Sequence, residues 1–246
     1  MSREMKEDKL LRHFGFRQPA ETFIRAGAGE PLIDESNLEE FVETAANLIK
    51  QSELRDILCR AINFSVCAPA AHLDISFISL YAALESVLTF FRRQDEYEIM
   101  PSEDFGQVER DLKRWLKQHP LLTNENARRG LIYEKIRELN RFPFSYVFQA
   151  FCRRYSLDLS DLWPVLGRRD EWPLMEIRHR LVHGDPFASR PAEALLCARE
   201  HLRWTVERML LGVLGWPVDR SNVSRERLLR MGGSYHDWQT ERARFG

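Results

Sequence analysis

The sequence lacks the features that mark secreted and membrane proteins. None of its segments is a run of 18 or more apolar residues, so no membrane-spanning helix is expected. The first 15 residues have neither the apolar stretch nor the small-residue cleavage site of a signal peptide. The sequence therefore predicts a cytoplasmic protein with no membrane partner.

Cysteine is scarce and scattered. The four cysteines show no Cys-x-x-Cys spacing, and each stands among apolar neighbours: Cys59, Cys67, Cys152 and Cys197. This pattern favours buried free thiols over a disulfide framework or a zinc knuckle. We therefore expect neither a structural metal nor a cofactor.

The alternation of apolar and polar residues that predicts β-strands is also missing. Apolar residues recur instead at helical spacing, which predicts an all-α fold. The predicted helices cover about residues 37–49, 53–67, 73–91, 104–118, 124–139, 144–155, 174–183 and 191–213. Around them we expect an N-terminal extension (1–35), a main helical domain (36–217) with an insertion at about 95–170, and an Arg-rich C-terminal tail (218–246).

Charge is nearly balanced over the whole chain, with a net charge of −1, but it is unevenly distributed. Residues 1–150 hold 20 basic and 24 acidic groups, and residues 151–246 hold 16 basic and 13 acidic groups. Every basic residue after Lys135 is arginine. The planar guanidinium suits phosphate better than a lysine ammonium does, although a genomic preference for arginine explains the bias equally well.

One segment concentrates arginine and histidine directly before a helix stop. Arg178, His179 and His183 belong to the predicted helix 174–183, and Gly-Asp-Pro follows at once. The unperturbed pKa of histidine lies close to neutrality, so its imidazole can give or take a proton during a reaction. Arginine stays charged and can hold a phosphate group bidentately. By themselves, an arginine and a histidine five positions apart permit chemistry on a phosphate ester but do not indicate it.

These residues resemble the R-x(4–6)-H motif of the HEPN superfamily, in which Asn, Asp or His often follows the arginine. Arg178, His179 and His183 match the motif, and Glu85 corresponds to an acidic residue that the family often carries in an earlier core helix. The chain is most similar to HEPN domains of bacterial anti-phage and abortive-infection proteins (ApeA-like). The resemblance spans about residues 37–216 and implies a HEPN-like helical bundle with a helical insertion.

The resemblance implies a metal-independent endoribonuclease that acts as a homodimer in defence or as a toxin, with RNA and a regulatory protein as partners. The substrate's own 2′-hydroxyl would be the nucleophile, and a 2′,3′-cyclic phosphate would result. Arg178 would stabilise the scissile phosphate, and His183 would be the general acid or base. His179 would orient the substrate, and Glu85 would position Arg178 or a histidine.

The spacing of the motif raises a geometric problem for a single chain. Positions five apart point about 140° from each other on an ideal helix, so Arg178 and His183 form an awkward pair. Unwinding at Gly184, or pairing with a second copy, would resolve it. Arg180 and Asp185 are weaker candidates, expected to bind substrate at the edge of the cleft.

Two other functions fit the same residues. A HEPN-like bundle could keep the fold and only bind nucleotides, RNA or a protein partner. Alternatively, His179 and His183 share the i, i+4 spacing of the zinc motif H-E-x-x-H, with Asp185 or His201 as a third ligand. Arg180 stands where that motif has its general-base glutamate, and a guanidinium there would repel a metal ion.

A purely structural role is the remaining alternative. Arg178 would then form a surface ion pair with Glu176 or Asp170, and His183 would stabilise the end of its helix. The aromatic residues between Phe142 and Phe151 are expected in the core rather than on a base-stacking surface.

Overall fold

The computed structural model describes residues 31–50, 55–56, 58–59, 61–62, 72–123, 125–184, 187 and 192–245. Within them, the α-helices with defined bounds are α1 (Leu38–Ile49), α2 (Leu73–Phe90), α3 (Ser102–Gln118), α4 (Asn126–Ile136), α5 (Phe144–Arg154), α6 (Leu174–His183), α7 (Ala192–Val213), α8 (Arg225–Met231) and α9 (Ser234–Ala243). Residues 55–56, 58–59 and 61–62, which lie within the helix predicted at 53–67, are also helical, and the rest of that predicted helix lies outside the described residues. These residues contain no β-strand, and one isolated bridge joins Glu98 to Arg141. The prediction of an all-α fold is confirmed.

The longest helix, α7, lies at the centre of the fold. It packs against α2 along one side and against α9 along another. Its residues Ala198, Leu202 and Met209 are fully buried. A helix with apolar residues around most of its circumference needs neighbours on several sides, and α7 has them.

The second central helix, α2, packs among α5, α6 and α7. Its side chains Phe77, Leu84 and Val87 are fully buried. By length and composition alone, α2 is apolar enough to cross a membrane. A buried core helix has the same composition, because it too is covered by apolar groups on most sides.

Helices α3 and α4 form a hairpin at the outer side of the fold. The Arg129 guanidinium donates hydrogen bonds to the carbonyl groups of Leu122 and Thr123, both at 2.7 Å, and so satisfies the turn between the helices. At the base of the hairpin, the Asn140 side chain exchanges two hydrogen bonds with the backbone of Met100, at 3.1 and 3.0 Å.

The predicted insertion at about 95–170 consists of two different parts. Its first part is the α3–α4 hairpin, whose largest apolar residues include the exposed Trp115. Its second part supplies the main core with Phe148, Phe151 and Trp163, which are buried. Only the first part is peripheral to the core.

Residues 218–245, expected as an Arg-rich tail, fold back onto the centre of the protein. Val223, Leu228, Tyr235 and Phe245 are buried, and α9 packs along α7. These apolar residues are spaced too widely among polar ones to form a periodic pattern, so no local pattern predicts their burial.

We call the junction between residues 31–40 and 218–227 the terminal seam. Polar contacts join its two sides: Asn222 N–H to Leu32 O at 3.0 Å, Arg227 to Asp34 at 2.7 Å, and Arg220 to Glu40 at 2.6 Å. An apolar cluster lies beneath these contacts and includes Ile33, Trp204 and Trp216. Residues 31–35, expected as the end of an extension, are therefore packed against the helical domain.

A buried ion pair connects α7 to the loop between α5 and α6, and hydrogen bonds to the same two side chains reach the C-terminal segment. Arg208 donates to both carboxylate oxygens of Asp161, at 2.6 and 2.8 Å, and the two side chains are only 3% and 5% exposed. Arg208 also donates to the carbonyl groups of Asp158 and Val223, and the Tyr235 hydroxyl donates to Asp161 at 2.8 Å. Burial alone would raise the pKa of Asp161, but Arg208 and Tyr235 outweigh it and hold that pKa below its usual value.

Candidate functional site

The start of α6, the helix that carries the arginine and histidines, is fixed by the loop before it. Leu174 N–H donates to the Pro164 carbonyl at 2.9 Å. Trp172 adopts a left-handed backbone conformation with φ 52°, which is rare for a bulky residue. Its carbonyl accepts a hydrogen bond from the buried Trp163 indole at 2.8 Å, which holds this turn in place.

One face of α6 is buried against α2. Leu174 and Ile177 are fully buried on it. Glu176, only 7% exposed, lies at the edge of this face and pairs with Arg180 at 3.2 Å and Arg169 at 3.4 Å. A buried carboxylate requires such partners, so Glu176 anchors the helix.

Arg178 lies on the side of α6 that borders α2. Its guanidinium is 3.7 Å from the Glu85 carboxylate and 5.8 Å from the centre of the Tyr81 ring. Tyr81 and Glu85 are one helical turn apart on α2, so both face the same arginine. The side chains of Arg178 and Glu85 are 33% and 42% exposed, which leaves the guanidinium accessible to a ligand.

A ladder of aromatic rings continues from Arg178 into the core. Tyr81 is stacked on Phe144 at a centroid distance of 6.2 Å, and Phe144 is stacked on Phe148 at 6.1 Å. Burial, followed by the nearby Glu85 charge, raises the pKa of Tyr81 well above its usual value. Tyr81 is therefore a neutral ring that supports the arginine through its π face.

His179 and His183 lie side by side at the end of α6. Their ring centroids are 4.4 Å apart and the rings are inclined by 51°. His183 is exposed and His179 is half-buried. Gly184 ends the helix in the left-handed region at φ 70°, and its N–H donates to the Arg180 carbonyl. The two imidazoles therefore reach solvent at a rigid helix end.

The structure joins the predicted residues in two pairs rather than in one group. Glu85 contacts Arg178, and His179 contacts His183. Among the described residues, no hydrogen bond or ion pair connects Arg178 to His183. The helix stays regular through His183, so unwinding at Gly184 does not bring these two residues together.

The two weaker candidates for substrate binding are Arg180 and Asp185. The Arg180 guanidinium lies 4.4 Å from the centre of the Trp172 ring and pairs with Glu176, so it packs against the loop before α6. Asp185 lies outside the described residues. The partner of Arg178 is Glu85 rather than Glu176 or Asp170, the partners that a purely structural role predicted.

The described part of the chain contains no group of three or more His, Cys, Asp or Glu side chains arranged to hold a metal ion. His201, considered as a third ligand to His179 and His183, is fully buried in α7. Its Nδ1 accepts a hydrogen bond from the Trp163 backbone N–H at 3.0 Å, and its ring neighbours include Trp204 and Tyr235. His201 therefore belongs to the core.

Sequence reasoning missed Tyr81 as part of this site, and it named Glu176 only as a surface partner of Arg178, whereas Glu176 is buried and pairs with Arg180 and Arg169. The position of Tyr81 four residues before Glu85 was a usable signal, because such residues share a helix face. Glu176 had a similar signal, since it precedes Arg180 by four residues. Its burial depends on the loop at Trp172, which no local pattern reveals.

Comparison with protein-family models, with curated proteins and with solved structures found no match for this chain. The residues of α2 and α6 and their geometry are therefore the basis for inferring its function.

Proposed function

We propose that this protein is a metal-independent endoribonuclease with a HEPN-like fold, acting as a homodimer in defence or as a toxin. The observation that carries the proposal is the accessible part of α6 from Arg178 to His183. It presents a guanidinium and two imidazoles to solvent, while its opposite face is anchored in the core. Such groups can bind a phosphate and transfer a proton without a metal ion.

The exposed side of α6 supports pairing with a second copy. Met175 and Val182 are 38% and 46% exposed, and His179 lies between them at helical spacing. Apolar residues beside the histidines would be covered if two α6 helices met across a twofold axis. Arg178 of one copy would then face His183 of the other, which removes the geometric difficulty within one chain.

The proposed reaction is attack of the RNA 2′-hydroxyl on the adjacent phosphorus atom. His183 removes the hydroxyl proton or protonates the leaving 5′-oxygen, and Arg178 stabilises the charge on the phosphate oxygens. Glu85 and Tyr81 hold the guanidinium in place from the α2 side. The products are a 2′,3′-cyclic phosphate and a free 5′-hydroxyl, so the bonds balance without water or metal in this step.

The decisive experiment measures cleavage of a set of single-stranded and structured RNAs in the presence of EDTA. We expect His183→Ala to lower the rate by about 10²–10⁴-fold, the usual contribution of a general acid or base. Arg178→Ala should lower it by about 10²–10³-fold, the scale for loss of one charge-stabilising donor. A 2′-deoxy substitution at the cleaved position should abolish the reaction.

His72→Ala is the matched control, because His72 is an exposed histidine that makes no capping hydrogen bond at the start of α2. It should cleave RNA as the wild type does. Two results would refute the ribonuclease proposal. One is equal cleavage by wild type and His183→Ala, and the other is no cleavage of any RNA by the wild type.

One observation favours a second function, RNA binding without cleavage. Within a single chain the arginine is engaged by Glu85 and Tyr81, and no contact joins it to His183. This arrangement suits a phosphate-binding group better than a catalytic pair. RNA binding without any cleavage product would establish this function instead. In that case Arg178→Ala should weaken the binding and reduce its salt dependence by about one phosphate contact.

A further inference from the structure

The histidines at the end of α6 have a geometry that their role in RNA cleavage does not require. Two imidazoles one helical turn apart, with centroids 4.4 Å apart, lie on an accessible surface. We propose that His179 and His183 bind one borderline transition-metal ion, with Zn²⁺ as the reference case, and that this ion inhibits the enzyme. The binding stands on the helix geometry alone, whereas the inhibition rests on the proposed ribonuclease function.

The distances allow both rings to reach one ion. Zinc binds histidine nitrogen at about 2.0–2.1 Å in a tetrahedral arrangement, so two ligand nitrogens on one ion lie roughly 3.3 Å apart. Side chains at i and i+4 of a helix are direct neighbours. With the centroids 4.4 Å apart, modest rotation of the rings brings a nitrogen of each to that separation.

The structure also answers the electrostatic objection to a cation at this position. Arg180, which directly follows His179 in the sequence, is directed towards the Trp172 ring and pairs with Glu176. Arg178 is directed towards α2 and pairs with Glu85. Each arginine therefore has an acidic partner that offsets its charge. The two ring centroids are only 4.4 Å apart, so neither guanidinium stands between them.

The ligand count indicates a weak, exchangeable site rather than a structural one. Neither imidazole has a hydrogen-bond partner among the described residues, so none of these residues fixes the orientation of the rings. The two histidines are half of the four ligands of a structural zinc site. Half of the binding free energy of such a site corresponds to a dissociation constant on the order of micromolar to millimolar. Water molecules complete the coordination, and the ion can come and go.

Occupancy of this site would stop the proposed reaction, since a metal-bound imidazole nitrogen cannot exchange a proton with RNA. The enzyme would thus be active in EDTA and suppressed by zinc, the opposite of a metal-dependent nuclease. Imidazole selects ions such as Zn²⁺, Ni²⁺ and Cu²⁺ over Mg²⁺. Magnesium should therefore leave the activity unchanged.

The test is a calorimetric titration of the full chain with zinc chloride, next to the same titration of single variants. The wild type and His72→Ala should each bind one ion per chain with equal affinity. His179→Ala and His183→Ala should each bind at least tenfold more weakly. Absence of zinc binding in the wild type, or undiminished binding in both variants, overturns the site.

A second measurement separates this proposal from the ribonuclease proposal. In RNA cleavage by His72→Ala, zinc at ten times its dissociation constant should reduce the rate about tenfold, and EDTA should restore it. Normal cleavage with zinc bound refutes the inhibition alone. A third outcome is a protein that cleaves no RNA but binds zinc through both histidines. That outcome refutes the ribonuclease proposal and the inhibition, and it establishes the metal site.

Discussion

Replacement of Asp161 by asparagine should destabilise the protein more than any other single change of charge described above. Asp161→Asn keeps the size of the side chain, removes the negative charge that faces Arg208, and replaces one accepting oxygen by a donating NH2 group. Arg208 is 3% exposed and donates to both oxygens of this carboxylate. Breaking one partner of a buried pair leaves the other charge uncompensated, at a cost of about 3–5 kcal/mol.

The assay is urea unfolding at pH 7, supported by thermal unfolding. For a chain of this size, about 1 kcal/mol shifts the midpoint by roughly 2–4 °C, so Asp161→Asn should lower it by about 6–20 °C. The matched control is Glu40→Gln. Glu40 and Arg220 have the same two-point geometry, with both distances 2.6 Å, but they are exposed to solvent. Glu40→Gln should lower the unfolding midpoint much less than Asp161→Asn does, because water screens the exposed pair.

The pH dependence gives an independent check. The pKa of Asp161 is held below its usual value in the folded protein, and the unfolded value is about 3.9. The contribution of the carboxylate to the free energy of unfolding is therefore complete above about pH 4 and is lost as the pH falls further. The gap between wild type and Asp161→Asn should close in acid. Equal stability of the two proteins at pH 7 would refute this account of the buried pair.

Three further predictions concern α2, α6 and α7. Gly184→Ala should lower the free energy of unfolding, measured in urea, by about 1 kcal/mol. The backbone φ of Gly184 is 70°, a conformation that strains alanine. An added Cβ would meet no other atom, so the loss would come from backbone strain alone. Glu85→Gln should lower kcat/KM for RNA by at most about fivefold with little effect on stability, since a half-exposed ion pair contributes up to about 1 kcal/mol. Burial, aided by the charge of Glu200, raises the pKa of Glu207 to about 7 against the attraction of Arg203. Ionising Glu207 therefore costs stability as the pH rises from about 4.5 to above 7, and Glu207→Gln should melt higher than wild type at pH 8 but not at pH 4.

Helical periodicity predicted most of the secondary structure. The bounds of α6 are those expected, and α2 and α5 each end one residue earlier than predicted. These helices have a clear apolar face and end at glycine, proline or polar residues, so local sequence determines them. In α4, the regular helix ends at Ile136 and a 3-10 turn follows to Asn140, because the Asn140 side chain is bound to Met100.

Long-range contacts account for what the sequence did not reveal. Arg208 interrupts the apolar surface of α7, and its burial depends on Asp161, 47 residues earlier, and on the Val223 carbonyl. Likewise, the burial of Phe245 requires Trp163 and Trp172, which lie far from it in the sequence. No window of neighbouring residues carries such information, and so the C-terminal segment was expected on the surface.

The candidate site was predictable in its residues but not in its grouping. Arg178, His179 and His183 stood out by residue type and spacing, and Glu85 by its place within an apolar run. The division into an arginine pair on the α2 side and a histidine pair at the helix end follows from the rotation of α6. That rotation is set by the burial of Leu174 and Ile177.

The terminal seam has a consequence for how the chain folds during its synthesis. Glu40 and Arg220 are 180 residues apart in sequence, so a ribosome that adds about 5–20 residues per second makes the second roughly 9–36 s after the first. During that interval Ile33 and Phe41 lack the later residues of their apolar cluster, which include Trp216 and Val223, and leave apolar surface open to water. A chaperone that binds apolar segments therefore has a defined period in which to act on the nascent chain.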